Sequence, residues 1–165
     1  MALKIRRARA DDLAAIAQIY NEAGVQTTAS YDTEPVSLES RTAWLKLHEV
    51  RDHPVLVLVR DEEVVGYAEY DSFRDKAGYA HTVEHTIYVR EGHRSAGGGR
   101  MLMAALIDHA RGQQVHTMVG FIDSANTDSI EFHRSLGFSE VGRMPQAGRK
   151  FGSWLDLVIV QRILG

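Results

Sequence analysis

Residues Thr82 to Arg100 constrain this chain more than any other stretch. Thr82-Val83-Glu84-His85-Thr86-Ile87-Tyr88-Val89 is rich in β-branched and aromatic side chains and favours a strand. It runs through Arg94-Ser95-Ala96-Gly97-Gly98-Gly99-Arg100 into a helical pattern with Leu102, Ala105, Leu106 and His109 on one face. A strand, a glycine turn and a helix start, in that order, direct unpaired backbone N–H groups and the positive end of a helix dipole at one spot. That is the grammar of an anion site. The spacing is neither that of a P-loop nor that of a dinucleotide-binding fingerprint. Taken alone, three consecutive glycines fit a plain flexible turn equally well.

The rest of the chain alternates helix and strand signals. A strand over 3–8 precedes a helix capped by Asp11 with Leu13, Ile16, Ala17 and Tyr20 on one face, and residues 24–35 read as a loop. A second helix starts at Ser37, and strands over 55–60 and 64–70 flank Asp61-Glu62-Glu63. After the opening strand and the helix over 98–111, which Gly112 stops, come a strand over 115–122 and a short helix over 126–136 ended by Gly137. Strands over 139–144 and 154–162, joined by a glycine-rich connection, close the pattern. The expectation is one α/β domain over 1–165, a mixed sheet with helices on both faces.

Charge and cysteine usage remove some functions. Against 22 acidic residues stand 19 Lys and Arg, a net charge of −3, which argues against a general nucleic-acid binder. Without cysteine there is no thiolate nucleophile or cysteine zinc site. The longest apolar run, 55–59, is far too short to span a bilayer, and no secretory h-region follows the basic start, so a cytoplasmic setting is expected.

Four groups of residues carry possible chemistry. His81-Thr82-Val83-Glu84-His85 matches a zinc-protease pattern letter for letter. That pattern needs a helix, whereas in a strand the two histidines stand roughly 13 Å apart, too far to share a metal. Glu84 on a half-buried sheet is either a general base with a raised pKa or a carboxylate satisfied by neighbouring hydroxyls. Asn126 can cap its helix, with His133 two turns on along nearly the same face, where a lone histidine is usually structural. Arg74 and Lys76, alternate cations in the loop before Glu84, suit a carboxylate clamp or a solvated loop.

In order along the chain, several short marks combine: Tyr20-Asn21, Thr27-Thr28-Ala29, Phe73-Arg74-x-Lys76, Thr82-Val83-Glu84-His85-x-Ile87-Tyr88-Val89, Arg94-x-x-Gly97-x-Gly99, Asn126-x-x-Ser129-Ile130-x-x-His133-x-x-Leu136-Gly137-Phe138 and Lys150-Phe151-Gly152-x-Trp154-Leu155-Asp156. Together they resemble the GNAT family of N-acetyltransferases, and more closely its phosphinothricin and methionine sulfoximine acetyltransferase branch. The resemblance implies the GNAT fold, a mostly antiparallel mixed sheet of about seven strands with about four helices. It implies acetyl-CoA as co-substrate, no metal, and a small amino-acid-like amine as acceptor.

By the same resemblance Ile87, Tyr88 and Val89 give backbone hydrogen bonds to the pantetheine arm. Arg94, Ser95, Ala96, Gly97, Gly98, Gly99 and Arg100 wrap the pyrophosphate, while Asn126 contacts the cofactor near the thioester and Ser129 is a further cofactor-binding residue. Glu84 is the candidate base that deprotonates the amine, directly or through water, and His133 stands where many relatives place a tyrosine general acid. Arg74, Lys76, Thr82 and Glu84 bind the substrate, the two cations on its α-carboxylate. A homodimer is implied, with Trp154 and the last strand contributing to its face. The chain departs from the pattern at Ser95-Ala96, which lacks a basic residue; at Gly98, which predicts a looser phosphate loop; at Lys76, for a second arginine; and at Ala80-His81. Two other functions compete: acetylation of protein or peptide amines, and non-catalytic sensing of acyl-CoA.

Overall fold

Five apolar residues in a row, Val55 to Val59, bounded by Pro54 and Asp61, become a strand buried on both faces. In the computed structural model, which describes residues 2–165, this strand, β2 (Val55–Arg60), lies between β1 (Leu3–Arg7) and β3 (Glu63–Ser72). The sheet continues through β4 (Thr82–Val89) and β5 (Thr117–Asp123) to β7 (Ser153–Ile163) and β6 (Ser139–Lys150), in the order β1-β2-β3-β4-β5-β7-β6. Every neighbouring pair is antiparallel except β4 and β5.

Two cores sandwich the sheet. Helices α1 (Leu13–Tyr20) and α2 (Leu38–Val50) cover one face, where Leu13, Ile16, Ile19 and Leu45 meet Val55, Val57 and Tyr67. Helix α3 (Gly98–Gly112) covers the other, packing Leu102, Met103, Leu106 and Ile107 against Leu56, Leu58, Ala68 and Val83. Helix α4 (Thr127–Ser135) adds Ile130 to this second core. The alternation expected along the opening strand holds, with Val83, Ile87 and Val89 on the α3 side and Tyr88 on the α1 side. No helix among the described residues is long and apolar enough to cross a membrane.

The structure corrects three local expectations. Asp11 does not cap α1; a 3-10 turn over Ala10–Asp12 leads in, and Asp12 instead accepts two bonds from Arg6 (2.7 and 2.9 Å) and one from Arg9 N (2.8 Å). Gly112 is the last helical residue rather than a left-handed stop, and Gln114 takes the positive φ of 60°. The glycine-rich connection after 144 is strand, for β6 runs to Lys150 and turns through Phe151 and Gly152 at φ 52° and 77° into β7. Cross-strand pairing along this hairpin overrides the low β propensity of its glycines.

Candidate active site

A cleft opens where β4 and β5 part. They pair only over Thr82–Glu84 against Thr117–Val119, yet both continue, to Val89 and Asp123. Thr117 N donates to His81 O at 3.0 Å and Arg90 N donates to Val65 O at 2.7 Å. Odd-numbered residues of β4 therefore turn their peptide groups toward β5, and even-numbered ones toward β3. Beyond Glu84 the odd-numbered Ile87 and Val89 face open space. Arg94 Nε donates to Val89 O at 3.0 Å, so Ile87 N–H and C=O and Val89 N–H are directed at whatever enters the gap.

The cleft, about 760 Å³, runs through the plane of the sheet. Tyr20, Ala23 and Thr27 to Ser30 wall it on the α1 side, and Arg94, Gly99, Asn126, Ser129, Phe132 and His133 on the α3 and α4 side. Strand alternation puts Glu84 on the first side and His85 on the second. Both line the cleft.

Glu84 is half-buried, and its pKa is raised, first by burial and then by the charges of Glu69 and Asp71. Those carboxylates stand on β3, Asp71 directly opposite Glu84 and Glu69 opposite Thr86. Each is held from the far side: His48 Nε2 lies 2.9 Å from Glu69 Oε2, and Asp71 Oδ1 receives Arg51 Nη1 at 3.0 Å and His53 Nδ1 at 2.9 Å. Burial works against the charged form of His48, but the hydrogen bond and charge of Glu69 outweigh it and its pKa rises. Burial likewise works against the Asp71 anion and is outweighed by Ser72 N–H, His48, Arg51 and His53, so its pKa falls. A base must be ionised to act, and a raised pKa moves the loss of activity on acidification above the ordinary carboxylate value of about 4.3. Replacing Glu69 with Gln removes one of the repelling charges. The acid limb of kcat/KM should then move to lower pH, a shift read from a pH-rate profile.

On α4, Asn126 caps the helix by accepting from Ser129 N at 3.2 Å. His133 is only 3% exposed. Its Nδ1 donates to Ser129 O at 2.7 Å, and its Nε2 lies 2.8 Å from Nε2 of His85, whose Nδ1 donates to Val119 O at 3.0 Å. Burial lowers the His133 pKa, and burial with the proximity of His133 lowers that of His85 to about 3. The histidine expected as a general acid thus reaches the cleft wall with Nδ1 held by Ser129 O and Nε2 facing Nε2 of His85, a contact that holds a proton only when one of the two rings is charged. His81 meets Gln114 O at 3.0 Å, away from His85's partners.

Helix α3 begins at Gly97, the N-cap at φ 83°, and its first i to i−4 bond runs from Met101 N to Gly97 O. The N–H groups of Gly98, Gly99 and Arg100 precede it and form the expected anion-binding end. Arg94 and Gly99 line the cleft, while Ser95 and Ala96 form an exposed turn beside it. Arg100 departs from expectation, since its guanidinium donates to Ser135 Oγ at 2.7 Å on α4. Gly98 does not loosen the turn: a Cβ there would lie 2.3 Å from Leu58 Cδ2, so glycine lets the helix start press against the sheet.

Arg74, Lys76 and Thr82 do not reach the cleft lining. The chain leaves β3 at Phe73, whose ring packs on Phe121 (6.4 Å) and Tyr79 (5.4 Å), and this turns Arg74 and Lys76 to solvent. Residues with no role assigned from sequence do line it or support it. Asp123, at the end of β5, accepts from Tyr31 Oη (2.9 Å) and Thr28 Oγ1 (3.2 Å) and so ties the 24–31 loop to the second half of the sheet. Only a carboxylate closing an otherwise apolar strand hinted at this.

Residues 5–159 match the family model of the acetyltransferase (GNAT) domain. The chain belongs to the GNAT acetyltransferase family. It is 46% identical over 162 residues to the L-methionine sulfoximine/L-methionine sulfone acetyltransferase of Pseudomonas aeruginosa, covering 98% of this chain and 94% of that one. The GNAT phosphinothricin acetyltransferase of Sinorhizobium meliloti, solved in complex with acetyl-CoA, superposes with a TM-score of 0.95 at 32% identity, covering 100% of this chain and 90% of that one. A ribosomal-protein-alanine N-acetyltransferase from Brucella melitensis superposes with a TM-score of 0.94 at 44% identity, covering 97% and 99%. In this GNAT chain the parted strands and the glycine-started helix form one continuous cleft.

Proposed function

We propose that this chain is an acetyl-CoA-dependent N-acetyltransferase that acetylates a small amino-acid-like amine, of the methionine sulfoximine, methionine sulfone or phosphinothricin type, by direct transfer. The observation that carries the reading is the cleft passing through the sheet, with Glu84 on one side and the start of α3 on the other. Pantetheine would extend the sheet along Ile87 and Val89, where peptide groups face the gap, and the pyrophosphate would meet Gly98, Gly99 and Arg94. The amine would enter from the α1 side, where Glu84 can take its proton before the nitrogen attacks the thioester carbonyl. Backbone N–H groups at the parted edge suit the developing oxyanion.

The loop over 24–31 covers the acceptor side, which supports a small acceptor over a protein tail. Dependence on acetyl-CoA supports a cytoplasmic setting. Val141, Met144, Phe151 and Trp154 stand exposed on the outer hairpin β6 and β7, and this apolar edge supports a homodimer. Release of free CoA, followed with a thiol reagent, tests the function. Methionine sulfoximine, methionine sulfone and phosphinothricin should drive release; peptides beginning with alanine should not. Turnover on the peptides alone would favour the protein-acetylating reading, and binding of acetyl-CoA without amine-driven release would favour a sensor.

A further inference from the structure

Lys150 is 4% exposed, an unusual place for an ammonium group. It ends β6, beside the turn through Phe151 and Gly152, and its side chain crosses to the other half of the molecule. There Nζ donates to Thr27 O at 2.5 Å, Ser30 O at 2.7 Å and, more weakly, Gly24 O at 3.4 Å. An ammonium has three protons and no acceptor, so three converging carbonyls use its full capacity. Burial lowers its pKa, and Asp32 works in the opposite direction.

The Thr27 and Ser30 carbonyls belong to the loop that roofs the α1 side of the cleft, where Thr27, Thr28, Ala29 and Ser30 are lining residues, and Gly24 O belongs to the π-helical turn over Asn21–Val25 that leads into it. The same loop is gripped nearby. Tyr31 Oη donates to Asp123 Oδ1 at 2.9 Å and to Asp156 O at 3.2 Å. A Cβ on Gly148 of β6 would lie 2.6 Å from the Tyr31 ring, so glycine there lets the strand close on the loop. All these tethers run from β5, β6 and β7 to a loop that follows α1. They span the line along which the sheet parts.

We infer that Lys150 is a positioning residue for the amine: by gathering the carbonyls of Gly24, Thr27 and Ser30 it fixes the loop that shapes the acceptor end of the cleft and so sets which amines fit. This rests on the acetyltransferase reading above. Lys150 touches none of the residues at the α3 end, so its removal should be felt by one substrate and not the other. Replacing it with Met keeps the aliphatic stem and takes the ammonium donor from Thr27 O and Ser30 O, while Gly24 O keeps Thr27 N and Thr27 Oγ1, and this loosens the loop.

The test is steady-state kinetics of Lys150→Met with each substrate varied in turn, beside hydrogen exchange of the backbone amides over 24–31. The amine KM should rise on the order of tenfold. The acetyl-CoA KM should stay within about twofold of the parent, and the loop amides should exchange faster while those of α3 do not. Tyr31→Phe, which removes only a hydroxyl, should give a smaller rise with the same selectivity, and it serves if Lys150→Met does not fold. An equal rise in both KM values, or unchanged amine KM with unchanged loop exchange, would overturn the assignment. If the parent acetylates no amine, the functional reading fails instead, and loop exchange alone still decides whether Lys150 holds the loop.

Discussion

Replacing Glu84 with Gln should lower kcat/KM for the amine on the order of 10²- to 10⁴-fold while leaving acetyl-CoA binding intact. An aliphatic amine with a pKa of about 8 to 10 is almost wholly protonated at neutral pH and has no lone pair with which to attack. Glu84 faces the acceptor side of the cleft, and burial beside Glu69 and Asp71 raises its pKa toward the range where a carboxylate accepts a proton well. Glutamine keeps the shape and removes the proton acceptor. Part of the lost rate should return at alkaline pH, where free amine is supplied by solvent. His133→Ala should cost less, because a thiolate whose conjugate thiol has a pKa of about 8.5 leaves without much help. Nδ1 of His133 is also already committed to Ser129 O. Single-turnover rates for the two variants, with calorimetry of acetyl-CoA binding, make the comparison, and equal losses would contradict the assignment of roles.

Much of this site is written locally. The strand over 82–89, the turn over 94–100 and the helix from 98 follow from β-branched residues, glycines and helical spacing, and the structure places all three within a residue of expectation. Local pattern also rejects the zinc signature, since the strand is real and His85 pairs with Val119 and His133. What local pattern does not carry is the effect of distant partners. Nothing near Glu84 in sequence shows that Glu69 and Asp71 sit beside it, because that depends on the β3–β4 register. Spacing alone leaves Arg74 and Lys76 between a carboxylate clamp and a solvated loop, and the packing of Phe73 on Phe121, which turns them outward, is not visible in it. Lys150 lies 120 residues from its acceptor Ser30, and no periodicity spans that distance.

Gly120→Ala should destabilise the fold and damage the site together. A Cβ at this position of β5 would lie 2.6 Å from Cε1 of His85 and 3.1 Å from Cγ2 of Val160. A flexible side chain could swing aside, but the His85 ring is fixed at Val119 O and at His133 Nε2, with Phe138 5.1 Å away. Overpacking of this kind costs about 1–3 kcal/mol. Removing a glycine from a strand interior returns about 0.5–1 kcal/mol, so the net loss reaches about 2.5 kcal/mol at most, and at about 2–4 °C per kcal/mol the melting temperature should fall, by up to about 10 °C. Displacing the ring disturbs its contact with His133, whose Nδ1 is bonded to Ser129 O near the capped start of α4 at the cleft wall. Turnover should therefore fall by more than stability alone explains at a temperature where the variant is fully folded. Gly112→Ala, where the added carbon meets nothing within 4 Å beyond its own helix and chain neighbours, is the control and should be neutral or slightly stabilising. A Gly120→Ala variant as stable and active as its parent would show that His85 yields freely, and the histidine pair would then lose its standing as a rigid part of the wall.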